Sequence, residues 1–498
     1  MRHEASPPTR GGRALLGLDL GSSSLKALLL SLDGRVLGER SASYPTRAPA
    51  PGWAEQEPDD WWLAAGEAAR AVLAAAPGVD VVGIGLSGQM HTFVLAGADG
   101  RPLRPAITWM DTRAAGLLPS VAMTIDAAGL RGELANPVVV GLTLPPLLWL
   151  REHEPDAVRA ARALLSAKDE LRRRLTGELG GEPTDASATL LFDVAGRRWS
   201  SATLAAFELP EALVPPLGEP DETAGRLMPA AAAHLGLRTG TPVAYGAGDQ
   251  QAAAVGTGTV RPGQAQLMVG TGAQALVVTD APPADADPAL HALCHVRGWL
   301  LQASVNNAGV ALDWARGLLG LSWAELYAAL GDGPRAGDPL FLPYLTGERA
   351  PLMKAHARGA WLGLEPGHDR VALARSAVAG VVVGIADGLA VLPNAGDAPV
   401  RAAGGGLRDA AFAQAVADAS GRTLELLDAG AASAVGAALL GGVAAGTLAD
   451  LDAAAAAAPA AVAARMSPRG ERADGWAALR QRLHALDALG LHEAVAGR

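Results

Sequence analysis

Leu15-Leu16-Gly17-Leu18-Asp19-Leu20-Gly21-Ser22-Ser23-Ser24-Leu25-Lys26-Ala27-Leu28-Leu29-Leu30 is an apolar run, a turn of glycine and hydroxyl residues, and a second apolar run. Both runs are short and bounded by turn formers, which favours strands over helices. Asp33-Gly34 suits a hairpin turn, and Val36 to Glu39 then extends the meander. Trp61 to Ala76 has helical spacing, and Val79 to Leu86 is a β-branched run after Pro77-Gly78. A meander followed by alternating helix and strand predicts an α/β layered domain rather than a bundle or a sandwich.

The pattern recurs. Gln264 to Val269, Gly270-Thr271-Gly272 and Ala275 to Thr279 again read as strand, small-residue turn, strand. Two similar domains are therefore expected, with a boundary near Thr257 to Pro262. Later, Val400 to Ala403 leads through Gly404-Gly405-Gly406 into a helix over Asp409 to Ser420. Ala377 to Leu392 is expected as a buried helix interrupted by Asp387, too short for the roughly 20 residues that cross a bilayer. Ala453 to Ala464 is expected as a surface helix or linker, and residues 1–13 as a disordered tail without a signal-peptide apolar run.

Composition narrows the function classes. A chain of 498 residues, half of them hydrophobic and 18% charged, is globular and long enough for several cores. A net charge of -10 gives no broad basic surface, so neither nucleic acid nor a membrane is an expected partner. Cys294 is the only cysteine, which excludes an intrachain disulfide and points to a reducing, cytoplasmic setting. The ten histidines lack metal-ligand spacing.

Gly83-Ile84-Gly85-Leu86-Ser87-Gly88 matches a dinucleotide fingerprint in letters, but the residues after it read as turn and strand, where that motif requires a helix. Lys26, Lys168 and Lys354 are the only lysines and none follows a glycine, so no Walker A loop exists. Gly21, Ser22 and Ser23 instead offer amides and hydroxyls suited to phosphate oxygens, with Asp19 beside them able to hold magnesium. Gly270-Thr271-Gly272 and Gly404-Gly405-Gly406 are further turns of this kind, and the three together suit a nucleotide cradle between two domains. Asp249, at a strand-to-helix junction, is either an N-cap or a base for a hydroxyl nucleophile. Gln89-Met90-His91 and Trp109-Met110-Asp111 each set polar groups beside a flat apolar surface, the usual way to hold a polyhydroxylated ligand.

Taken together with Lys168-Asp169, Thr184-Asp185-Ala186-Ser187 and Gly347-Glu348-Arg349, these motifs resemble the FGGY family of carbohydrate kinases, nearest to its xylulose-phosphorylating members. The resemblance runs from about Leu15 to Leu440. It implies two duplicated ribonuclease-H-like, actin-like ATPase domains flanking an interdomain cleft: residues 14–258 for sugar binding, the first phosphate motif and the catalytic base, and residues 259–498 for nucleotide binding. It implies ATP and Mg2+, a ketose acceptor, and phosphorylation of D-xylulose; it admits a homodimer.

Carried over by position, Asp249 is the expected catalytic base and Asp19 the acid of the first phosphate motif and the metal ligand. Gln89, Met90, His91, Trp109, Asp111 and Gln250 are expected at the sugar. Gly21, Ser22, Ser23, Lys26, Gly270, Thr271, Gly272, Gly404, Gly405 and Gly406 are expected at the nucleotide. The chain departs from the family pattern at Gln250, where asparagine is usual, at Pro146, where lysine is expected, and over residues 352–356. Another ketopentose, a polyol or a sugar acid as acceptor, or a non-catalytic actin-like ATPase, therefore remain alternatives.

Overall fold

The computed structural model describes residues 12–282, 288–393 and 398–490. Residues 1–11 of the expected tail lie outside this set, but Arg13 already opens the first strand, Arg13–Leu20. Asp80 N donates to Gly12 O, which ties the chain to the neighbouring strand one residue earlier still.

Each half of the chain builds a seven-stranded mixed sheet. In the first, Arg13–Leu20, Ser24–Ser31 and Val36–Ser43 form an antiparallel meander, and Asp80–Gly88 returns parallel to Arg13–Leu20 on its other side. In the second, Ala265–Val269, Ala273–Thr279 and Trp299–Val305 repeat the meander, and Val400–Ala403 returns parallel to Ala265–Val269. The repeat that is faint in letters is thus plain in topology. In both halves the turn between the first two strands and the end of the returning strand lie at the same sheet edge, where ligands of open α/β sheets collect.

A four-stranded sheet of Glu55–Gln56, Ala106–Ile107, Phe93–Ala96 and Ala163–Ser166 stands beside the first sheet. It fixes the residues that follow two of its neighbours: Gln89-Met90-His91 leads into Phe93–Ala96, and Trp109 follows Ala106–Ile107.

The expected buried helix is Arg370–Ala390. It passes through Asp387 rather than stopping there, because that carboxylate is paired with Arg480 and with His484 Nε2 at 2.8 Å. By length and composition alone the helix could cross a membrane, yet most of it is buried in the core of the second half. Ala453 to Ala464 is not one surface element. Leu451–Ala456 is a short helix that buries Leu451 and Ala454, and Val462–Met466 forms the edge strand of the second sheet.

Ala432–Ala444, a helix from the second half of the sequence, packs on the first sheet and against the helix Asp249–Gly256. Glycine makes this approach possible. A Cβ on Gly85 would come within 1.7 Å of Ala437 O, and one on Gly436 within 1.8 Å of Ala252 O.

Candidate active site

Asp19 ends the first strand, and Asp249 begins the helix Asp249–Gly256. The N-cap position belongs to Gly248, so Asp249 is not a capping residue and its carboxylate remains available. Both aspartates are only partly covered. Ser87 Oγ donates to Asp19 Oδ1 at 2.6 Å, and burial raises the Asp19 carboxyl above the usual range. Asp249 is pushed up to about 7, first by burial and then by the negative charge of Asp19, against opposing hydrogen bonds from Gln250. Arg13–Leu20 and Ala247–Gly248 both pair parallel with Asp80–Gly88, so the two carboxylates stand at the same end of the sheet, and one is poised near neutrality.

The segment before Asp249 is held from behind. Gly248 N donates to Thr184 Oγ1 at 2.9 Å, and Thr184 Oγ1 donates to Glu182 Oε1 at 2.8 Å. Glu182 in turn lies 3.3 Å from Lys168 Nζ, which pairs with Asp169 at 2.8 Å and with Asp185 at 3.4 Å. Arg172 completes the cluster on Asp169 at 2.8 Å. Two cations meet three carboxylates in a fully buried group, and Asp185 is pushed up to about 8, chiefly by burial. A buried charge needs partners, and here the two cations also reach the backbone leading to Asp249, Lys168 Nζ lying 3.5 Å and Arg172 3.4 Å from Tyr245 O. The sequence marks Lys168-Asp169 and Thr184-Asp185 as motifs; only the fold reveals that they lie behind the base.

Met90 is buried against Ala188, Leu276, Leu293 and Leu300, so it bridges the two halves of the chain. His91 is strained, with φ of 66°, and its Nδ1 lies 2.9 Å from Ala188 O. Gln89 is buried, donating through Nε2 to Gln56 Oε1 at 2.8 Å, and Gln56 Nε2 donates to Ser22 O at 2.7 Å. Trp109 is 41% exposed and donates through Nε1 to Ser22 Oγ at 3.0 Å.

Asp111 departs from the expectation of a sugar contact. Its Oδ2 accepts from Ala54 N at 2.6 Å and Arg113 at 2.7 Å, and its Oδ1 accepts from Arg113 N and Nε, both at 2.9 Å. A buried carboxylate so fully engaged has little capacity left for a ligand. Lys26 stands opposite Asp19 in the antiparallel register, and its charge favours the ionised Asp19.

The second and third glycine turns meet. Gly270, Thr271, Gly405 and Gly406 line a cleft of about 600 Å³ whose far wall includes Trp323 and Tyr327. Those two rings are stacked, with centroids 5.7 Å apart, a flat surface suited to a nucleobase. Gly404 lies behind, with φ of 107° and Val269 O where a Cβ would point. Gly21, Ser22 and Ser23 are not in the lining of this cleft. They form the turn directly after the strand that Asp19 and Leu20 end, where Gly21 O accepts from the Tyr44 hydroxyl and Ser23 O from Tyr44 N at 3.1 Å.

Residues 14–256 match the N-terminal domain of the FGGY family of carbohydrate kinases, and residues 265–445 match its C-terminal domain. A xylulose kinase of Escherichia coli strain K12 is 37% identical over 437 residues, 86% of this chain and 90% of that protein. A xylulose kinase of Streptomyces coelicolor is 34% identical over 454 residues, 89% of this chain and 90% of that protein. Among solved structures, a xyloylose kinase from Brucella ovis superimposes with a TM-score of 0.90 at 36% identity, covering 97% of this chain and 100% of that one. With two lobes of matching topology, a carboxylate pair in one and a glycine-lined cleft in the other, the chain belongs to the FGGY family of carbohydrate kinases.

Proposed function

We propose that the chain transfers the γ-phosphoryl group of ATP to the terminal hydroxyl of D-xylulose, giving D-xylulose 5-phosphate and ADP. The observation that carries this reading is Asp249, a partly open carboxylate pushed up to about 7 beside Asp19. Its similarity to several xylulose kinases supports the choice of acceptor. Residues 14–258 form the acceptor lobe and residues 259–498 the nucleotide lobe, with Ala432–Ala444 lying across the first lobe's sheet.

Asp249 accepts the hydroxyl proton as the sugar oxygen bonds to phosphorus, and the bond from phosphorus to the ADP oxygen breaks in line. The transition state is loose, so most of the catalysis is positioning and charge neutralisation. Gly270, Thr271, Gly405 and Gly406 hold the nucleotide through backbone groups, and Met90, His91 and the face of Trp109 hold the sugar.

A magnesium ion fits these residues. The Asp19 and Asp249 carboxylates, both only partly covered, suit an ion held chiefly by phosphates and water, with Asp19 as its protein ligand. Such an ion would offset charge on the transferred group.

ADP release across pentuloses, hexuloses, polyols and gluconate tests the reading, and D-xylulose is expected to give the highest kcat/KM. Asp249→Ala should lose about 10²–10⁴-fold in turnover while still binding ATP. Near-normal turnover in that variant refutes the assigned base, a better acceptor refutes the substrate, and no sugar-dependent ADP release favours a non-catalytic ATPase.

A further inference from the structure

Cys294 ends the strand His291–Cys294, the outermost strand of the second sheet. Side chains from the first half of the chain take the backbone groups on its outer side. Asn136 Nδ2 donates to Ala292 O at 2.8 Å, Cys294 N donates to Ser187 Oγ at 2.9 Å, and Gln251 Nε2 donates to Cys294 O at 3.2 Å. Alternate residues of an edge strand turn their backbone groups outward, which is why these contacts fall on Ala292 and Cys294.

Both bonds at Cys294 lead to Asp249. Gln251 stands two residues after it on the helix Asp249–Gly256. Ser187 Oγ donates onward to Thr184 O at 2.9 Å, and Thr184 Oγ1 accepts from Gly248 N at 2.9 Å, one residue before Asp249. One residue of the nucleotide lobe is thus joined to the chain on both sides of the base. Thr184, Ser187 and Gln251 are fully buried, so water does not stand in for these bonds when they are lost.

Packing alone gives no reason for an amide at position 251. The Gln251 Oε1 has no partner among the described residues, so half of a fully buried polar group is unsatisfied while the other half is spent on Cys294 O. Other bonds cross between the halves without approaching the base. Trp299 Nε1 donates to Val194 O at 2.8 Å, and Arg197 Nη1 donates to Gly298 O at 2.9 Å. Holding the two halves together therefore does not depend on Gln251.

In-line transfer sets a base on one lobe against a triphosphate on the other, and a misplacement of about 1 Å can cost about 10²-fold in rate. We propose that Gln251 and Ser187 are positioning residues for the base. Through the two backbone groups of Cys294 they tie the direction of the Asp249 carboxylate to the lobe that holds the nucleotide. Gln251 does so along the helix that Asp249 begins, and Ser187 does so through Thr184 and the Gly248 amide. Both act through Asp249 and not on the reacting atoms. This inference rests on the reading of Asp249 as the base.

Steady-state kinetics and thermal melting of the full chain test it, with Gln251→Met, which keeps the length and removes the donor, with Ser187→Ala, and with Trp299→Phe as a control that breaks a bond between the halves away from the base. In Gln251→Met and Ser187→Ala, kcat should fall about tenfold or more while the KM values for D-xylulose and ATP stay within about twofold. Gln251→Met should melt within about 3 °C of the unsubstituted chain, because the Cys294 O left unpaired is offset by removal of the unpaired Oε1. Trp299→Phe should melt lower with kcat within about twofold. In the Asp249→Ala background, Gln251→Met should cost less than about twofold more, since a base that is absent cannot be misplaced. A kcat within twofold in both Gln251→Met and Ser187→Ala, an equal loss in Trp299→Phe, or the same loss with and without Asp249 overturns the inference. Should Gln251→Met not fold, Ser187→Ala, which deletes only a hydroxyl, decides by the same criteria. Near-normal turnover in Asp249→Ala itself brings down the base reading, a result distinct from normal turnover in the Gln251 and Ser187 variants of an enzyme that does need Asp249.

Discussion

Trp109 Nε1 donates to Ser22 Oγ at 3.0 Å across 87 positions of sequence. The bond joins the segment that follows the small sheet to the turn after the first strand, so the ring proposed to face the sugar and the hydroxyl proposed to face phosphate share one hydrogen-bonded contact. Ser22 O is fixed at the same time by Gln56, which also receives Gln89.

Trp109→Phe keeps the flat surface and removes only the donor. A partly exposed hydrogen bond of this kind is worth about 1 kcal/mol, so KM should rise roughly threefold to tenfold. Because the bond spans both subsites, the rise should appear for the sugar and for ATP together. A rise for the sugar alone, or none for either, would contradict this coupling in steady-state kinetics.

Asp249, pushed up to about 7, must be ionised to accept a proton. The acid limb of kcat/KM is therefore expected near pH 7. Asp19 is one of the two causes that raise it, so Asp19→Asn should shift that limb to lower pH, whatever it does to the rate. The same shift acts on stability. The folded carboxyl keeps its proton between the ordinary 3.8 and about 7, where the unfolded chain has lost it, so this group makes stability fall as pH rises through that window. Asp249→Asn should melt higher than the unsubstituted chain at pH 8 and no higher from this cause at pH 3. Equal melting at both pH values would refute the raised carboxyl.

Thr184 is buried and links Gly248 N to Glu182, one residue before the base. Thr184→Val preserves volume and leaves the Gly248 amide unpaired at a cost of about 1–3 kcal/mol. Its effect should fall on kcat, about tenfold or more, with the KM for ATP nearly unchanged, and Thr184→Ser should restore the rate. A loss of melting temperature with normal kcat in the folded protein would assign Thr184 to stability alone.

How much of this was legible in the sequence depends on the range of the interaction. The opening meander, the repeated strand, turn, strand pattern and the glycine turns are local, set by turn chemistry and periodicity, and they stand where Leu15 to Leu30 and Gln264 to Thr279 lead one to expect. Asp249 and His91 were found as positions within motifs, but the left-handed backbone of His91 and the pressure of Asp19 on Asp249 are products of packing. Asp111 misled because an acid beside a tryptophan looks available for a ligand until Arg113 and Ala54 close on it. Trp323 carried no local signal, since it acquires its meaning from residues far away in sequence. The expectation for Ala453 to Ala464 failed because alanine content reports helix propensity and not the vacant sheet edge that recruits Val462–Met466.

The glycines under Ala432–Ala444 set a last test, because they fix how the base-bearing helix meets the sheet. Cβ atoms on Gly17, Gly85, Gly256 and Gly436 would come within 1.7–2.0 Å of carbonyl oxygens on the facing element. Backbone cannot yield as a side-chain end does, so Gly436→Ala must push the helices Asp249–Gly256 and Ala432–Ala444 apart, at a cost of about 1–3 kcal/mol or more. Helix propensity alone would reward that alanine by about 1 kcal/mol, so the sign of the change decides between local preference and close packing. Urea unfolding of Gly436→Ala should therefore show a lower midpoint. Since Ser433 Oγ also donates to Asp249 O at 3.1 Å, the displaced helix should carry the base with it and reduce kcat in protein that is still folded. A more stable variant with unchanged kcat would mean that the two helices do not meet as closely as their glycines require.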